Sequence, residues 1–253
     1  MNLSAVIITF NEEKNIRSCI ESLHDIVDDI VVVDSFSSDN TPLICSSFPA
    51  LRFFQSEWKG YAAQKNYGNN LALHDWILSL DADEVLSPEL RDSLKQWRVN
   101  PCAAGFNRLT SYAGKWIRYG GWYPDFKFRI FDRRQTRWEG LIHEQLIFAS
   151  GNETEITRLN GDCLHYSFPD EHSHLLQTDK FSRLWAQQAF QSGRRHSQMK
   201  QIFGPVIRFV RDYFFLSGFR DGKAGFRIAL ISARAIACRQ RYLKELIDEK
   251  RGH

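Results

Sequence analysis

The chain has 253 residues, with 33 Lys and Arg against 30 Asp and Glu, and a net charge of +3. This length suits one large α/β domain with an elaboration, and a charged fraction of 25% with 43% hydrophobic residues excludes a disordered chain. No apolar run reaches the roughly 18 residues of a membrane span. The five cysteines are odd in number and lack C-x-x-C spacing, which predicts reduced thiols in a cytosolic compartment and argues against a zinc site.

Strands and helices alternate in the first part of the chain. No basic leader precedes the first apolar run, so we predict no signal peptide. The apolar runs predict strands at Ala5–Ile8, Ile30–Val33, Arg52–Phe54 and Trp76–Leu80. Helices are predicted after the first strand (Ile16, Cys19, Ile20 and Leu23), from the cap at Thr41-Pro42, over Gly60–Leu73, and from Ser87-Pro88-Glu89. This alternation predicts βαβ units and a mostly parallel sheet, which binds ligands outside the carboxyl ends of its strands.

Polar residues follow three of these strands. They are Thr9–Glu12 after the first strand, Asp34 after the second and Asp81–Asp83 after the fourth. Because the carboxyl ends of parallel strands meet at one edge of a sheet, we expect these groups to lie together.

Asp81 and Asp83 form a D-x-D sequence directly after a buried strand. In an extended chain the two carboxylates would point the same way, about 6–7 Å apart. Adjacent carboxylates repel each other unless a cation lies near them, and oxygen ligands completed by phosphates suit Mg²⁺ or Mn²⁺. The pattern predicts a metal–nucleotide site, with a solvated acidic turn as the alternative.

The C-terminal part of the chain is basic. Residues 194–251 hold fourteen Lys and Arg and five Asp and Glu, a balance of +9, so the preceding part carries −6. Two amphipathic stretches flank Ser217–Gly222, and Arg227, Arg234 and Arg241 recur every seven residues in the second. Basic residues beside an apolar stripe favour a helix on an anionic membrane surface. A helical hairpin packed on the catalytic domain and a dimer interface remain the alternatives, and no module indicates nucleic-acid binding.

Several of these segments together resemble one enzyme family. T-F-N-E-E after the first strand, V-V-D-S-F-S-S-D-N-T after the second and L-S-L-D-A-D-E are similar to the family two inverting glycosyltransferases of the GT-A fold. The similarity is strong over residues 3–90 and weaker through 170. There, G-K-W-I-R-Y-G-G-W-Y-P-D, R-I-F-D-R-R and W-E-G-L-I-H-E resemble the bacterial subgroup that adds glucose to heptose in the lipopolysaccharide inner core.

The resemblance implies a nucleotide site. Uracil and ribose contacts would come from Thr9, Phe10, Asn11 and Glu12; Asp34 would accept a hydrogen bond from uracil, and Asp39 lies in the same loop. Asp34 as a turn cap is the alternative. Lys65 would either contact the nucleotide or be a solvated helix lysine. Arg129 is placed to pair with the diphosphate.

The resemblance also implies metal ligands and a catalytic base. Asp83 is the favoured direct ligand of the metal ion, and Asp81 would hold the ribose or a metal-bound water. His165 would complete the coordination shell of the metal or contact the diphosphate. A role as an ordinary core side chain is the alternative for His165. A metal ion would neutralise the departing diphosphate, while the acceptor hydroxyl needs a base. Glu144, in a His-Glu pair after a W-x-G-like element, is the predicted base, with Glu139 and Asp125 as rivals.

The remaining expectations concern organisation and function. Trp116, Tyr119, Trp122 and Tyr123 would form an aromatic lid or ordinary core. We expect a GT-A catalytic domain at 1–170, with a nucleotide-sugar half at 1–100 and an acceptor half at 101–170, and a basic helical region at 171–253. The predicted function is metal-dependent transfer of a sugar, by the resemblance glucose, from a UDP-sugar to the lipopolysaccharide core at the inner face of the bacterial inner membrane. A homo-oligomer is compatible with this prediction.

Three other functions compete with this one. A sugar-phosphate nucleotidylyltransferase would need a Gly-rich basic loop after the first strand, where T-F-N-E-E-K-N is acidic. A glycoside hydrolase would use paired carboxylates but leaves the nucleotide loops unexplained. A non-catalytic nucleotide-sugar binding module would lack turnover of the sugar nucleotide.

Overall fold

The computed structural model describes residues 2–97, 103–140, 144–149 and 156–251, the side chain of residue 251 excepted. Its residues form two compact units. The first comprises Met1–Arg108 and Asp125–Tyr166, and the second comprises Leu109–Pro124 and Ser167–His253. Two of the three boundaries fall within β-strands, and each unit consists of two separate stretches of chain.

Eleven strands are described, in this chain order: β1 Leu3–Thr9, β2 Asp29–Asp34, β3 Leu51–Gln55, β4 Trp76–Asp81, β5 Glu84–Leu86, β6 Ala103–Tyr112, β7 Lys115–Trp116, β8 Phe126–Asp132, β9 Thr136–Glu139, β10 Gln145–Phe148 and β11 Ile156–Phe168. The first unit also holds helices α1 Ile16–Ser22, α2 Thr41–Ser46, α3 Tyr61–Leu71 and α4 Pro88–Gln96.

The central sheet has two halves. Strands β3, β2, β1 and β4 are neighbours in that order, and every pairing among them is parallel. The sheet continues as β8, β6, β11 and β5, where β4 with β8, β8 with β6, and β11 with β5 pair antiparallel. The predicted α/β fold is confirmed, and its parallel part is the half that the four apolar runs predicted.

Alternation of side chains along the strands explains why both faces of this sheet are apolar. Ala5, Ile7, Val32, Leu78 and Leu80 belong to the core cluster that includes residues of α1 and α4. Their neighbours along the strands belong to the other cluster: Val6, Ile8, Val31, Val33 and Ile77, together with Ala62 of α3 and Trp138 of β9. Because helices cover both faces, β1 is buried at all seven of its positions.

Two local predictions are wrong in detail. Strand β4 ends at Asp81, and Ala82-Asp83 forms a turn before β5, so the D-x-D sequence is not extended as assumed. Asn40, and not Thr41, is the N-cap of α2. Thr41 is the first helical residue, and its hydroxyl accepts a hydrogen bond from the backbone N–H of Glu12 at 2.8 Å. The cap predicted at Ser87 is confirmed, since its Oγ accepts from the N–H of Leu90.

The second unit is mainly helical. It contains α5 Glu171–Gln191, α6 Gln198–Val210 and α7 Gly222–Arg251, with a π-helical turn at Arg211–Phe215 and a 3₁₀ turn at Gly218–Asp221 between α6 and α7. The long helices pack through Ala186, Ala189, Tyr242 and Leu243. Within the described part of the chain, no helix combines the length and the apolar character needed to span a bilayer.

Candidate functional site

Hydrogen bonds join the loops after β1 and β2. The N–H of Asn11 donates to Ser37 Oγ, and Asn11 Oδ1 accepts from the N–H of Ser38, both at 2.8 Å. One step further, the N–H of Glu13 donates to Asp39 Oδ2 at 3.0 Å. Asn11 has a positive φ of 54°, a backbone conformation that Asn adopts more readily than most residues. The two predicted nucleotide loops are therefore one connected surface at the carboxyl edge of the sheet.

Asp34 is fully buried at the end of β2. Its carboxylate accepts hydrogen bonds from the backbone N–H and the hydroxyl of Ser37, and from the side-chain amide of Gln55. These contacts match the turn-capping alternative, and they also fix the carboxylate beside the loop. A uracil contact by Asp34 stays a prediction.

Thr9 and Glu12 have unusual environments at the same edge. Thr9 is buried, and its Oγ1 has no hydrogen-bond partner in the described structure. Burial raises the pKa of Glu12 to about 7, against a hydrogen bond from Asn15, and the charges of Asp83 and Asp39 raise it further. Phe10 is half exposed beside them. This edge therefore combines an unpaired hydroxyl, an exposed ring and a carboxyl that is easily protonated.

Asp83 and His165 form a pair. The His165 Nε2 lies 3.1 Å from Asp83 Oδ2, and the N–H of Tyr166 donates to the Asp83 carbonyl. The register of β11 against β5 sets this contact, because it places His165 opposite Glu84. One carboxylate and one imidazole suit an Mn²⁺-type ion whose shell is completed by phosphates. Among the residues that the structure describes, no three or more His, Cys, Asp or Glu are grouped as metal ligands.

Asp81 has different neighbours. Its Oδ1 lies 3.1 Å from Lys65 Nζ, and its Oδ2 lies 3.1 Å from an Nη of Arg129. Burial alone would raise the pKa of Asp81, but Lys65 and Arg129 hold it well below its usual range. In this structure Asp81 is thus held by two cations, apart from the Asp83–His165 pair.

Lys65 also contacts the predicted base. It is fully buried, its Nζ lies 2.8 Å from Glu144 Oε1, and it stands 5.0 Å from the centroid of the Trp138 ring. The solvated-lysine alternative is therefore wrong. A single buried ammonium group links Asp81 of β4 with Glu144, which directly precedes β10.

Sequence reasoning did not single out Glu84. Its side chain is fully buried, and its carboxylate contacts Arg129 and accepts a hydrogen bond from the N–H of Asp81. Glu84 and Asp81 hold the pKa of Arg129 above its ordinary value, although burial acts in the opposite direction. Arg129 is thereby engaged behind the D-x-D turn, and a diphosphate contact by it stays a prediction. The sequence did carry a signal for Glu84, because it is a third acidic residue directly after D-A-D.

The rival bases are engaged elsewhere. Asp125 lies 2.9 Å from both Arg108 and Lys127, and Glu139 is paired with Arg137 on the exposed side of β9. Within the described residues neither of them pairs with Lys65 or Asp81, whereas Glu144 contacts Lys65. The arrangement favours Glu144 over both rivals, and its role as the base stays a prediction.

The predicted aromatic lid residues belong to the second unit. Trp122 packs against Phe168 and His174, with ring centroids 5.6 and 5.7 Å apart, and the N–H of Tyr119 donates to Asp221. Arg118 lies over the ring of Tyr123. For Trp122, these contacts match the core alternative rather than a free lid.

The sheet edge, its acidic turn and the buried lysine are features of a sugar-nucleotide enzyme, and comparison with known proteins agrees. The model of glycosyl transferase family 2 matches residues 4–150, more than half of the chain. A lipopolysaccharide core biosynthesis glycosyltransferase, LpsC of Rhizobium meliloti, is 32% identical over 91% of this chain and 87% of its own length. The chain belongs to glycosyl transferase family 2.

Other relatives and structures are more distant. An uncharacterized glycosyltransferase of Rickettsia typhi is 28% identical over 99% of this chain and 89% of its own. The mannosyltransferase PcManGT from Pyrobaculum calidifontis, solved with GDP-Man and Mn²⁺, is 16% identical with a TM-score of 0.49, over 96% of this chain and 85% of that one. S. aureus TarS 1–349 is also 16% identical, with a TM-score of 0.48, over 98% and 92% of the two chains.

Proposed function

We propose that this enzyme transfers glucose from UDP-glucose to heptose of the lipopolysaccharide inner core, with inversion at the sugar. Family membership carries the reaction class. The function for which the Rhizobium relative is named, lipopolysaccharide core biosynthesis, supports the acceptor class, because the two chains align over most of their lengths. The observation that carries the mechanism is the contact of Lys65 with both Asp81 and Glu144.

The joined loops form the nucleotide subsite of this proposal. Phe10 would stack on or cover the uracil, and the unpaired hydroxyl of Thr9 offers it a hydrogen bond. Asp34 and Asp39 hold the loop through backbone N–H groups, so these carboxylates orient the subsite even where they do not touch the ligand. Preorganised loops reduce the ordering cost of nucleotide binding.

A divalent cation, Mg²⁺ or Mn²⁺, fits the Asp83–His165 pair. Ions of this type are commonly held by one or two protein groups together with substrate phosphates, so two side chains suffice. The bound ion would supply charge neutralisation for the diphosphate. Asp81, which contacts Lys65 and Arg129, would then lie beside the ion or the ribose rather than act as the main ligand.

Glu144 is the proposed general base for the acceptor hydroxyl. Its carboxylate is paired with the Lys65 ammonium group, whose Nζ lies 2.8 Å from Glu144 Oε1. The same contact fixes the side chain, which lies directly before β10 and is only partly exposed. Lys65 would therefore position Glu144 and, through Asp81, couple it to the nucleotide subsite.

The lipid-linked acceptor implies work at a membrane surface. We propose peripheral association with the inner face of the bacterial inner membrane through the C-terminal helices. The support is a row of large apolar side chains exposed on α6, in a part of the chain rich in Lys and Arg. Homo-oligomer formation through the same helices is the competing proposal for this surface.

Transfer assays with a base variant and a matched control test the reaction. We expect acceptor-dependent release of UDP from UDP-glucose with Mn²⁺ and a heptose-containing core oligosaccharide, and weaker release from other UDP- and GDP-sugars. Glu144→Gln should lower kcat by about 10²–10⁴, the usual loss when a general base is removed, and leave UDP affinity nearly unchanged. Glu139→Gln, at an exposed glutamate five residues away, should retain activity. An inactive Glu139→Gln beside an active Glu144→Gln would transfer the role to Glu139.

A further inference from the structure

The second unit contains a cavity with basic residues at its wall. Its volume is about 240 Å³, and it is bordered by the C-terminal end of α5 and by α6 and α7. Four cationic side chains line it, Arg194, Arg195, Lys200 and Arg239, and the apolar wall comes from Trp185, Ile236 and Leu243. Gly204 lets α6 approach α7, because a Cβ at this position would lie 2.7 Å from Cγ2 of Ile236. The cavity is therefore built by close packing of two helices.

These cations lack acidic partners. No Asp or Glu is among the residues that line the cavity, and none of the four cations has an ion pair within the described residues. Arg239 is half buried and stands over the Trp185 ring, and its Nε has no hydrogen-bond partner. Burial lowers the pKa of Arg239, and the nearby charge of Arg208 acts in the same direction. Uncompensated positive charge in a partly enclosed space favours an anion.

A row of exposed apolar residues runs along α6 beside this cavity. We call it the α6 ridge, and it comprises Met199, Ile202, Phe203, Val206, Ile207 and Val210. Lys200, at the cavity wall, and Ile207, on the ridge, are seven residues apart and so lie nearly in line on the helix. Exposed aromatic side chains extend the apolar surface into the following turn at Phe214 and Phe215. The basic cavity thus borders an apolar surface.

We propose that this cavity binds the phosphate headgroup of an anionic membrane lipid while the α6 ridge contacts the acyl region. The inference rests on the membrane association proposed above and specifies the lipid group involved. Guanidinium groups form paired hydrogen bonds with phosphate oxygens, and Arg194, Arg195 and Arg239 supply such donors around one space. Trp185, Ile236 and Leu243 would face the less polar glycerol part of the lipid.

The combination favours a lipid over a soluble phosphate. A site for inorganic phosphate needs hydrogen-bond donors on all sides, whereas part of this wall is apolar. An amphiphilic ligand satisfies both parts of the wall, and large exposed apolar patches usually mark a binding surface. The charge of the four cations complements an anionic headgroup, while zwitterionic lipid offers no net charge to them.

Vesicle binding by the full chain tests this site. The variant Arg195→Gln/Lys200→Gln removes two exposed cations at the cavity, and Lys180→Gln/Lys244→Gln removes two exposed cations elsewhere in the same unit. We expect the cavity variant to bind phosphatidylglycerol-containing vesicles about thirtyfold more weakly at low salt, since it loses two of the cations that would face the anionic surface. The control should change by less than about twofold. Equal losses in the two variants, or no loss in the first, would overturn the proposal.

Further measurements distinguish a lipid phosphate from a soluble phosphate, and they separate the lipid site from the proposed transfer reaction. Glycerol 3-phosphate and inorganic phosphate should not raise the melting temperature of the protein by binding at Arg239, and they should not displace the protein from vesicles. If either does so, and if Arg239→Gln removes the effect, the cavity is a site for a soluble anion and the lipid proposal fails. Transfer to a soluble core oligosaccharide should be equal in wild type and the cavity variant. If neither the wild type nor the cavity variant transferred sugar, the proposed function would fail, while the vesicle-binding result would still decide the lipid proposal.

Discussion

Lys65 connects the acidic turn after β4 with the predicted base of the candidate site. Its ammonium group is buried and contacts Asp81, at the end of a strand, and Glu144, in a separate connection. Removing one partner of a buried ion pair leaves the other charge uncompensated, which usually costs several kcal/mol. Lys65 therefore acts on both stability and geometry, and a nucleotide contact by it would require that it leave one of these carboxylates.

Asp83 is expected to make nucleotide binding depend on metal. Asp83→Ala should abolish transfer and remove the part of UDP affinity that Mn²⁺ adds, because the Asp83–His165 pair would lose its only carboxylate. Calorimetric titration of UDP with and without Mn²⁺ measures this difference. Asp75→Asn is a suitable control, because Asp75 directly precedes β4 at its opposite end and pairs with Arg133 and Arg134. Undiminished metal-dependent affinity in Asp83→Ala would place the ion elsewhere.

For individual residues, the sequence predicted which side chains lie at the site better than it predicted their contacts. Asp34, Asp81 and Asp83 were found because each follows an apolar run, a local pattern. The partners of Lys65 were not predictable, because Glu144 lies 79 residues further along the chain and burial is not visible in a helix of mixed composition. Glu84 was missed for the same reason, since its partner Arg129 comes from a distant strand.

Helix α3 carries Lys65, and Gly68 sets how closely this helix approaches the sheet. A Cβ at Gly68 would lie 2.4 Å from Cγ1 of Val6 and 3.1 Å from Cγ2 of Val33. Gly68→Ala should therefore push α3 away, lower the free energy of unfolding by about 1–3 kcal/mol and reduce kcat more than UDP affinity. Urea unfolding and transfer kinetics check this.

Asn70→Ala provides the control on the same helix. Asn70 is exposed, so this substitution should change the free energy of unfolding by less than about 0.5 kcal/mol. Gly68→Ala with full stability and activity would mean that Val6 moves without cost and that the position of α3 is not critical.

The strands and helices also show which parts of the fold could not be predicted from sequence patterns. The parallel half of the sheet followed from buried runs joined by helices, a repeated local unit. The antiparallel half did not, because strands such as β11 pair with a partner 77 to 81 residues earlier and their sequences mix polar and apolar residues. In α7 the seven-residue spacing of arginines was found, but two of them have internal contacts: Arg227 with Glu171, and Arg241 with Tyr242.

Stability of the helical unit is expected to depend on pH through His174. This residue lies among the rings of Tyr112, Trp122 and Phe168, and burial lowers its pKa to about 4. Since the unfolded chain binds a proton below about pH 6.5 and the folded chain only below about 4, stability falls as pH decreases between these values. The loss attributable to His174 should be about 3 kcal/mol.

A ring substitution isolates this effect. His174→Phe keeps an aromatic side chain of similar size in the cluster but cannot bind a proton, so its urea midpoint should depend less on pH between about 4 and 6.5 than that of the wild type. Parallel pH profiles for the two proteins would show that the imidazole is not the group responsible.

Attachment of the whole molecule to membranes is expected to depend on the α6 ridge as well as on charge. The triple charge reversal Arg227→Glu/Arg234→Glu/Arg241→Glu would be an ambiguous test of this attachment, because Arg227 also contacts Glu171 and Arg241 also contacts Tyr242. Ile207 avoids this difficulty, since it is 67% exposed, and so does Leu176 of α5, which is 60% exposed. Ile207→Ser should leave the free energy of unfolding nearly unchanged and weaken vesicle binding about tenfold, whereas Leu176→Ser should not.

Salt separates the two contributions to this binding. Raising the ionic strength screens the basic residues over a Debye length of about 10 Å at 0.1 M, but it does not weaken apolar contact. Wild-type protein should therefore retain part of its vesicle binding at high salt, and Ile207→Ser should lose most of that remainder in co-sedimentation. Equal effects of Ile207→Ser and Leu176→Ser would remove the ridge from the contact. If Ile207→Ser instead converts a dimer to a monomer and leaves vesicle binding intact, the ridge is the contact between two copies of the chain, because the same apolar surface cannot face both a partner and the lipid.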